Sequence, residues 1–238
     1  MRDLTHIRQT AELADRVLLP GDPGRALRLA QALLKSPRML NHNRGLWGYT
    51  GVAPDGLALS IQSTGMGGPS AAIVATELIE LGARRLLRIG TCGALQDSLA
   101  LGQLVVATEA VADDGTSIAL GGHGPLARVP APGTDVLEPL LAAGAAATPP
   151  AIVGAAVSSD LFYGAQERVA AWRATGALVV EMETAAIFTV AARAGVAAGC
   201  ALLVSNLLGD SAYITPDELE TAELRLGALA VAALTGAP

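Results

Sequence analysis

The feature of this chain that most narrows its folding choices is an alternation. Short apolar runs end in glycine-bearing turns, and segments with helical apolar spacing follow them. Arg16–Pro20 (RVLLP) reads as a buried strand, Gly21-Asp22-Pro23-Gly24 as a turn, and 25–34 as a helix. The pattern returns with a strand at 57–63 (LALSIQS), the glycine-rich TGMGGPS, and a helix over 71–82. A strand at 85–89 (RLLRI) leads into Gly90-Thr91-Cys92-Gly93, read as a tight turn. Further strands are expected at 103–110, 151–158, 177–182 and 199–205, with helices at 165–175, 184–194 and 216–234. The Gly-, Pro- and Asp-rich stretch 113–134 reads as a long loop and the candidate lid. This order predicts an α/β fold: one domain over 1–238, three layers α/β/α, a mainly parallel twisted central sheet, and ligand chemistry at the strand ends.

Two carboxylates sit badly in such a core. Glu181 and Glu183 fall in VVEMETAAIF, within a chain that is 51% hydrophobic, and an unpaired buried carboxylate costs several kcal/mol. Arg88, inside the apolar run RLLRI, raises the same question with the opposite sign. A guanidinium there needs an anion: either phosphate oxygens held by its planar fork, or Glu181 or Glu183 in an internal ion pair. Backbone N–H groups at glycine turns that open helices make anion sites, and three such turns follow strands here: 21–24, 65–70 and 90–93. Neither GxGxxG nor GxxxxGK[ST] accompanies them, which argues against dinucleotide and P-loop sites.

Charge and cysteine usage close off other classes. With 16 basic and 22 acidic residues the net charge is −6 and no basic stripe is present, so a nucleic-acid partner is not expected. The amino terminus is charged, and no apolar run is long enough for a signal peptide or a membrane span; a cytoplasmic location and no membrane partner are expected. Cys92 and Cys200 lie far apart without metal-ligand spacing, and no metal site is expected.

Six segments in order resemble the hexameric nucleoside phosphorylases, the family of bacterial purine nucleoside phosphorylase and uridine phosphorylase. They are Leu19-Pro20-Gly21-Asp22-Pro23 with Arg25; Arg44-Gly45; Gly65-Met66-Gly67-Gly68-Pro69-Ser70; Arg88-Ile89-Gly90-Thr91-Cys92-Gly93; Ser159-Asp160-Leu161-Phe162-Tyr163; and Glu181-Met182-Glu183. The resemblance spans nearly the whole chain and is nearest the bacterial purine enzymes. It implies a pentosyltransferase that reversibly cleaves purine ribo- and deoxyribonucleosides with inorganic phosphate as co-substrate, giving free base and sugar 1-phosphate without a metal or organic cofactor. By the same resemblance, Gly21, Arg25, Arg88 and Thr91 hold phosphate, joined by Arg44 from a neighbouring subunit. His6 also crosses that interface to the ribose 5′-hydroxyl. Met182 and Glu183, assisted by Glu181, bind the 2′ and 3′ hydroxyls. Phe162 and Tyr163 form an aromatic wall, and Ser205 and Asn206 lie at the base. A homo-oligomer follows, a hexamer built as a trimer of dimers.

The base end departs from the commonest bacterial purine pattern, which has Ser-Asp where this chain has Ser205-Asn206, and an arginine where it has Leu219. A carboxamide donates a hydrogen bond but delivers no proton, so the expected preference is for 6-oxopurines such as inosine and guanosine. Asp210 is a second candidate acid, though a turn role after Gly209 fits it better. The alternative within the family is uridine phosphorylase, whose Gln-x-Arg grip on uracil resembles Gln166 and Arg168. Against it, only residues 169–180 separate Arg168 from Glu181, where uridine enzymes carry a long insertion, and Leu207 stands where they have arginine. Outside phosphorolysis stand a nucleosidase using water, which would lack the phosphate arginines, and a non-catalytic nucleoside-binding module.

Overall fold

The computed structural model describes residues 4–208 and 212–236. Asp210 lies outside them. Ten strands form one sheet: β1 (Arg16–Pro20), β2 (Lys35–Asn41), β3 (Gly48–Val52), β4 (Ala58–Gln62), β5 (Arg85–Ala94), β6 (Leu104–Asp113), β7 (Ala127–Pro130), β8 (Ile152–Ser159), β9 (Val179–Glu181) and β10 (Ala197–Leu207). The helices are α1 (Pro23–Leu33), α2 (Gly68–Glu80), α3 (Gly115–Gly121), α4 (Thr134–Ala146), α5 (Gln166–Ala174), α6 (Thr184–Ala194) and α7 (Pro216–Thr235).

The sheet runs β10-β6-β8-β9-β5-β1-β4-β3-β2, and a further β5–β10 pairing closes β5, β10, β6, β8 and β9 into a ring. It is mixed. Strand β5 lies parallel to β1 and β10, and β1 parallel to β4, which is the expected parallel centre. The β6–β8 and β8–β9 pairings are parallel as well, whereas β5–β9, β6–β10, β6–β7 and β2–β3–β4 are antiparallel, so the sheet is mixed rather than purely parallel.

Side chains alternate along each strand and split the core in two. Leu86, Cys200 and Leu202 face one apolar cluster with Ala71, Val74 and Leu78 of α2 and Ala185, Phe188 and Ala191 of α6. Leu87, Ile89, Ala201 and Leu203 face the other, with Leu29 and Ala30 of α1, Leu140 of α4 and Leu226 and Ala230 of α7. Arg88 shares its side of β5 with Leu86, two residues away, and so points toward the α2/α6 layer.

Three expectations change. The stretch 90–93 does not turn: β5 continues to Ala94, because β10 pairs alongside it through Leu202↔Gly90 and Leu203↔Thr91 and satisfies the backbone. The stretch 113–134 is no open lid; it folds as α3, capped by the Asp114 carboxylate on the Ser117 N–H at 2.7 Å, and as β7 hydrogen-bonded to β6. Finally, an edge hairpin of β2 and β3 and the helix α4 occupy segments with no sequence signal of their own.

Candidate functional site

The functional residues gather where β5, β8, β9 and the start of α6 meet. Strand β9 ends at Glu181, and Glu183 is the residue before α6. Arg88, Glu181 and Glu183 are 3%, 5% and 5% exposed, which makes their pairing obligatory. Arg88 Nε donates to Glu181 Oε2 at 2.8 Å, and its Nη2 pairs with Glu183 Oε2. Both acids are therefore its partners, and the internal ion pair that the sequence left open is present. Nη1 of Arg88 is buried and has no hydrogen-bond partner among the described residues. Glycine at position 90 makes this possible: a Cβ there would lie 2.7 Å from Arg88 Nη2, so any side chain would push the guanidinium aside.

The two carboxylates have different surroundings. Glu181 also accepts from the Ser158 hydroxyl, from the Glu183 N–H at 2.9 Å and from the Thr184 N–H at 2.9 Å. Both its oxygens are taken inside the chain. These contacts make Glu181 an anchor that fixes Arg88 and the β9–α6 junction. Glu183 is bound more sparingly, by the Gly67 N–H at 2.5 Å on Oε1 and by Arg88 on Oε2. Burial raises the Glu183 pKa, Arg88 opposes that rise, and Glu181 adds to it. For Arg88, burial acts downward, but Glu183 and Glu181 outweigh it and the pKa stands above its ordinary value. The arginine stays charged.

Among the described residues, no ion pair joins the other expected phosphate residues to this cluster. Gly21 follows β1, the strand next to β5, and its carbonyl accepts from the Gly65 N–H at 3.0 Å, bringing two of the glycine turns together. Thr91 is half-buried on β5. Arg25, in the first turn of α1, is 8% exposed; its Nη2 meets Glu223 Oε1 of α7 at 2.7 Å, and its Nε is buried without a partner among the described residues. Arg44 lies at the tip of the β2–β3 edge hairpin, exposed, with φ 57°, and makes no ion pair among the described residues. A side chain there is free to reach beyond its own chain. His6 places Nδ1 2.7 Å from Glu77 Oε1, and Glu77 also accepts from the His6 and Ile7 N–H groups. Burial acts to raise the Glu77 pKa, but His6 and those N–H groups bring it below the ordinary value. His6 is thus anchored through Nδ1.

At the base end, Phe162 and Tyr163 are 66% and 87% exposed and meet edge to face with centroids 4.9 Å apart. Two aromatics so open present a surface for stacking. Asn206 pairs with Gly93 across β10 and β5 after a bulge at Val204. The Ser205 hydroxyl lies 3.2 Å from both the Cys92 carbonyl oxygen and Asn206 Oδ1, with one proton to give to either, and the Asn206 Nδ2 group carries two donor hydrogens. Gln166 is exposed at the start of α5. Arg168 is engaged: Nε donates to Asp113 Oδ2 at 2.5 Å, Nη2 pairs with Asp113 Oδ1, and Trp172 Nε1 donates to the same carboxylate at 2.6 Å. That fork ties α5 to β6. It corrects the reading of Arg168 as free to grip a uracil edge.

Several contributors escaped the sequence. Ser158 reads as one more small residue ending an apolar strand, yet its hydroxyl holds Glu181 and accepts from the Ala185 N–H at 2.8 Å. Glu223 looks like part of the solvated acidic face of DELETAE but is 3% exposed. A buried residue on the inner turn of an amphipathic helix was the available signal. Among the described residues no group of three or more His, Cys, Asp or Glu is placed to hold a metal, and no helix is long and apolar enough to cross a membrane.

Comparison with known proteins agrees with this arrangement. Residues 15–235 match the profile of the phosphorylase superfamily. A protein of Geobacillus sp. (strain WCH70) named purine nucleoside phosphorylase DeoD-type is 36% identical over 212 residues, covering 88% of this chain and 88% of its own. One of the same name from Clostridium novyi (strain NT) is 36% identical over 221 residues, covering 91% and 93%. The family match takes in every strand and helix from β1 to the end of α7. The chain belongs to the nucleoside phosphorylases of the phosphorylase superfamily.

Proposed function

We propose that the chain is a purine nucleoside phosphorylase that favours 6-oxopurine ribo- and deoxyribonucleosides, in an oligomer whose neighbouring subunit supplies Arg44 and His6. The single observation carrying this reading is Arg88: it joins Glu181 and Glu183 on one side and keeps a buried, unpartnered Nη1 on the other. An anion taken up there lies beside a carboxylate able to accept from a sugar hydroxyl. A nucleosidase using water has no use for such a donor.

The chemistry follows from charge. As the bond from ribose C1′ to the base nitrogen lengthens, positive charge grows on the sugar and negative charge on the base. A phosphate oxygen forms the new bond to C1′, and the glycosidic electron pair leaves with the base. Phosphate held by Arg25, Arg88 and a neighbour's Arg44 is both nucleophile and counter-charge, and such positioning contributes about 7–11 kcal/mol of the barrier. Glu183 accepts from the ribose diol, with Met182 alongside; Glu181 fixes Arg88. Phe162 and Tyr163 stack on base and sugar.

The departing base needs a donor. Asn206 carries two Nδ2 hydrogens, and these donate to purine N7 or to the 6-oxygen that carries the leaving charge. An amide cannot protonate adenine, whose exocyclic amine accepts no such charge. Asn206→Asp is expected to raise adenosine turnover relative to inosine by about 10²-fold, the low end of general-acid contributions. A ratio unchanged within about twofold removes Asn206 from the base site. The Arg168–Asp113 fork supports purine over uridine, since the side chain that would grip uracil is committed to β6.

The direct test is base release from inosine with and without inorganic phosphate. The proposal expects hypoxanthine and ribose 1-phosphate only when phosphate is present. Release at equal rates in its absence makes the chain a hydrolase, and tight inosine binding with no release makes it a binding protein.

A further inference from the structure

Arg25, the expected phosphate ligand of α1, is held by an acid from the other end of the chain. Glu223 of α7 is 3% exposed, and its two oxygens go to two arginines: Oε1 to Arg25 Nη2 at 2.7 Å and Oε2 to Arg28 Nη2 at 2.6 Å. The contact is built into the packing of α1 on α7. A Cβ on Gly227 would lie 2.4 Å from Leu29 Cδ2 and 3.0 Å from Leu33 Cδ1, so only glycine lets the helices approach this closely. One turn before Gly227 stands Glu223; one turn before Leu29 stands Arg25, with Arg28 adjacent. Helix approach thus delivers the carboxylate to both guanidiniums.

A carboxylate presents two oxygens to a guanidinium fork much as a phosphate does. Glu223 takes one side of Arg25 and leaves its Nε buried without a partner. Arg28 differs, its side chain 39% exposed, with Asp22 Oδ2 at 3.8 Å as a second anion. The hydrogen bond that Arg28 donates to Glu223 is the foremost cause of the raised Arg28 pKa, so Arg28 holds the carboxylate as a fixed cation.

We propose that Glu223 is an internal oxyanion that competes with phosphate for Arg25, and that Arg28 weakens its hold by drawing the carboxylate the other way, so that the Arg28–Glu223 pair sets phosphate affinity. The inference rests on the reading of Arg25 as a phosphate ligand. Phosphate entering at Arg25 meets the like charge of Glu223, which moves onto Arg28 rather than being left unpaired. Glu223 is a positioning residue: it acts on the co-substrate through Arg25 and touches neither base nor sugar.

Two variants push in opposite directions. Glu223→Gln removes the competing charge and is expected to lower the phosphate KM by about tenfold, the factor equivalent to 1.4 kcal/mol, with the inosine KM little changed. Arg28→Met leaves Glu223 with Arg25 alone and is expected to raise the phosphate KM by about the same factor. Thermal melting against phosphate concentration gives a second readout, because a ligand of the folded state stabilises it in proportion to its affinity: the phosphate-induced rise in Tm is larger in Glu223→Gln and smaller in Arg28→Met. A purely structural role lowers Tm in both variants without splitting the two KM values. Glu223→Gln with an unchanged or raised phosphate KM overturns the proposal, as does Arg28→Met with a lowered one. If the unaltered enzyme releases base equally without phosphate, the phosphate reading itself falls and takes this inference with it.

Discussion

Arg88→Met is expected to cut phosphate-dependent base release by at least about 10²- to 10³-fold in kcat, the loss that follows removal of one preorganised charge-stabilising donor. It is also expected to lower folding stability by about 3–5 kcal/mol, because it removes the cation from two buried carboxylates. Glu181 and Glu183 then face each other with no counter-charge, since the remaining partners of Glu181 are a hydroxyl and backbone N–H groups. Steady-state kinetics and urea unfolding separate the two effects. In particular, the residual activity of the folded fraction stays low at temperatures well below the melting point. Arg88→Met with turnover within about tenfold of the unaltered enzyme would mean that the guanidinium only neutralises its acids.

Glu183→Gln carries the second large effect. Hydrogen bonds to a charged acceptor are worth about 1.5–3 kcal/mol, so losing the charge that receives the ribose diol is expected to lower kcat/KM for inosine by about 10- to 150-fold. The penalty is smaller for 2′-deoxyinosine, which has one hydroxyl fewer to offer. Glu181→Gln behaves differently: both its oxygens serve the chain, so its main expected effect is lost stability, with equal relative loss for ribo- and deoxyribonucleosides. If Glu183→Gln also failed to distinguish the two sugars, its carboxylate would have no place at the diol.

How far the chain's letters carried this picture depends on the type of signal. Strand β1 and helix α6 were legible to the residue, since an unbroken apolar run between turn residues and an amphipathic stretch ending before Gly195 have few alternative readings. The β2–β3 hairpin was not. Its first strand, KSPRMLN, is largely exposed and contains Pro37, as an edge strand tolerates, and its second, GYTGV, carries two glycines. Helix α4 hides its periodicity in a run of Ala, Leu and Gly with Pro139 inside. The Gly90–Gly93 stretch misled for a further reason: glycines commonly mark turns, and here one clears space for a guanidinium.

In the site, residue identities were legible and their division of labour was not. Two glutamates spaced two apart look alike in sequence; only the Ser158 hydroxyl and the Thr184 and Gly67 N–H groups, reached through the fold, make one an anchor and leave the other open. Likewise nothing local in QERVAAWRA shows that Arg168 forks onto Asp113, a residue on another strand. Buried charge predicts that partners exist, but long-range topology chooses them.

The central claim is that Arg88 links an oxyanion to the sugar held by Glu183. Crystals soaked with inosine and sulfate test it most directly. The account predicts sulfate within hydrogen-bonding distance of Arg88 Nη1 and Arg25 Nε, and a ribose hydroxyl donating to Glu183. Inosine bound with its sugar away from Glu183, and no sulfate at either guanidinium, would contradict it.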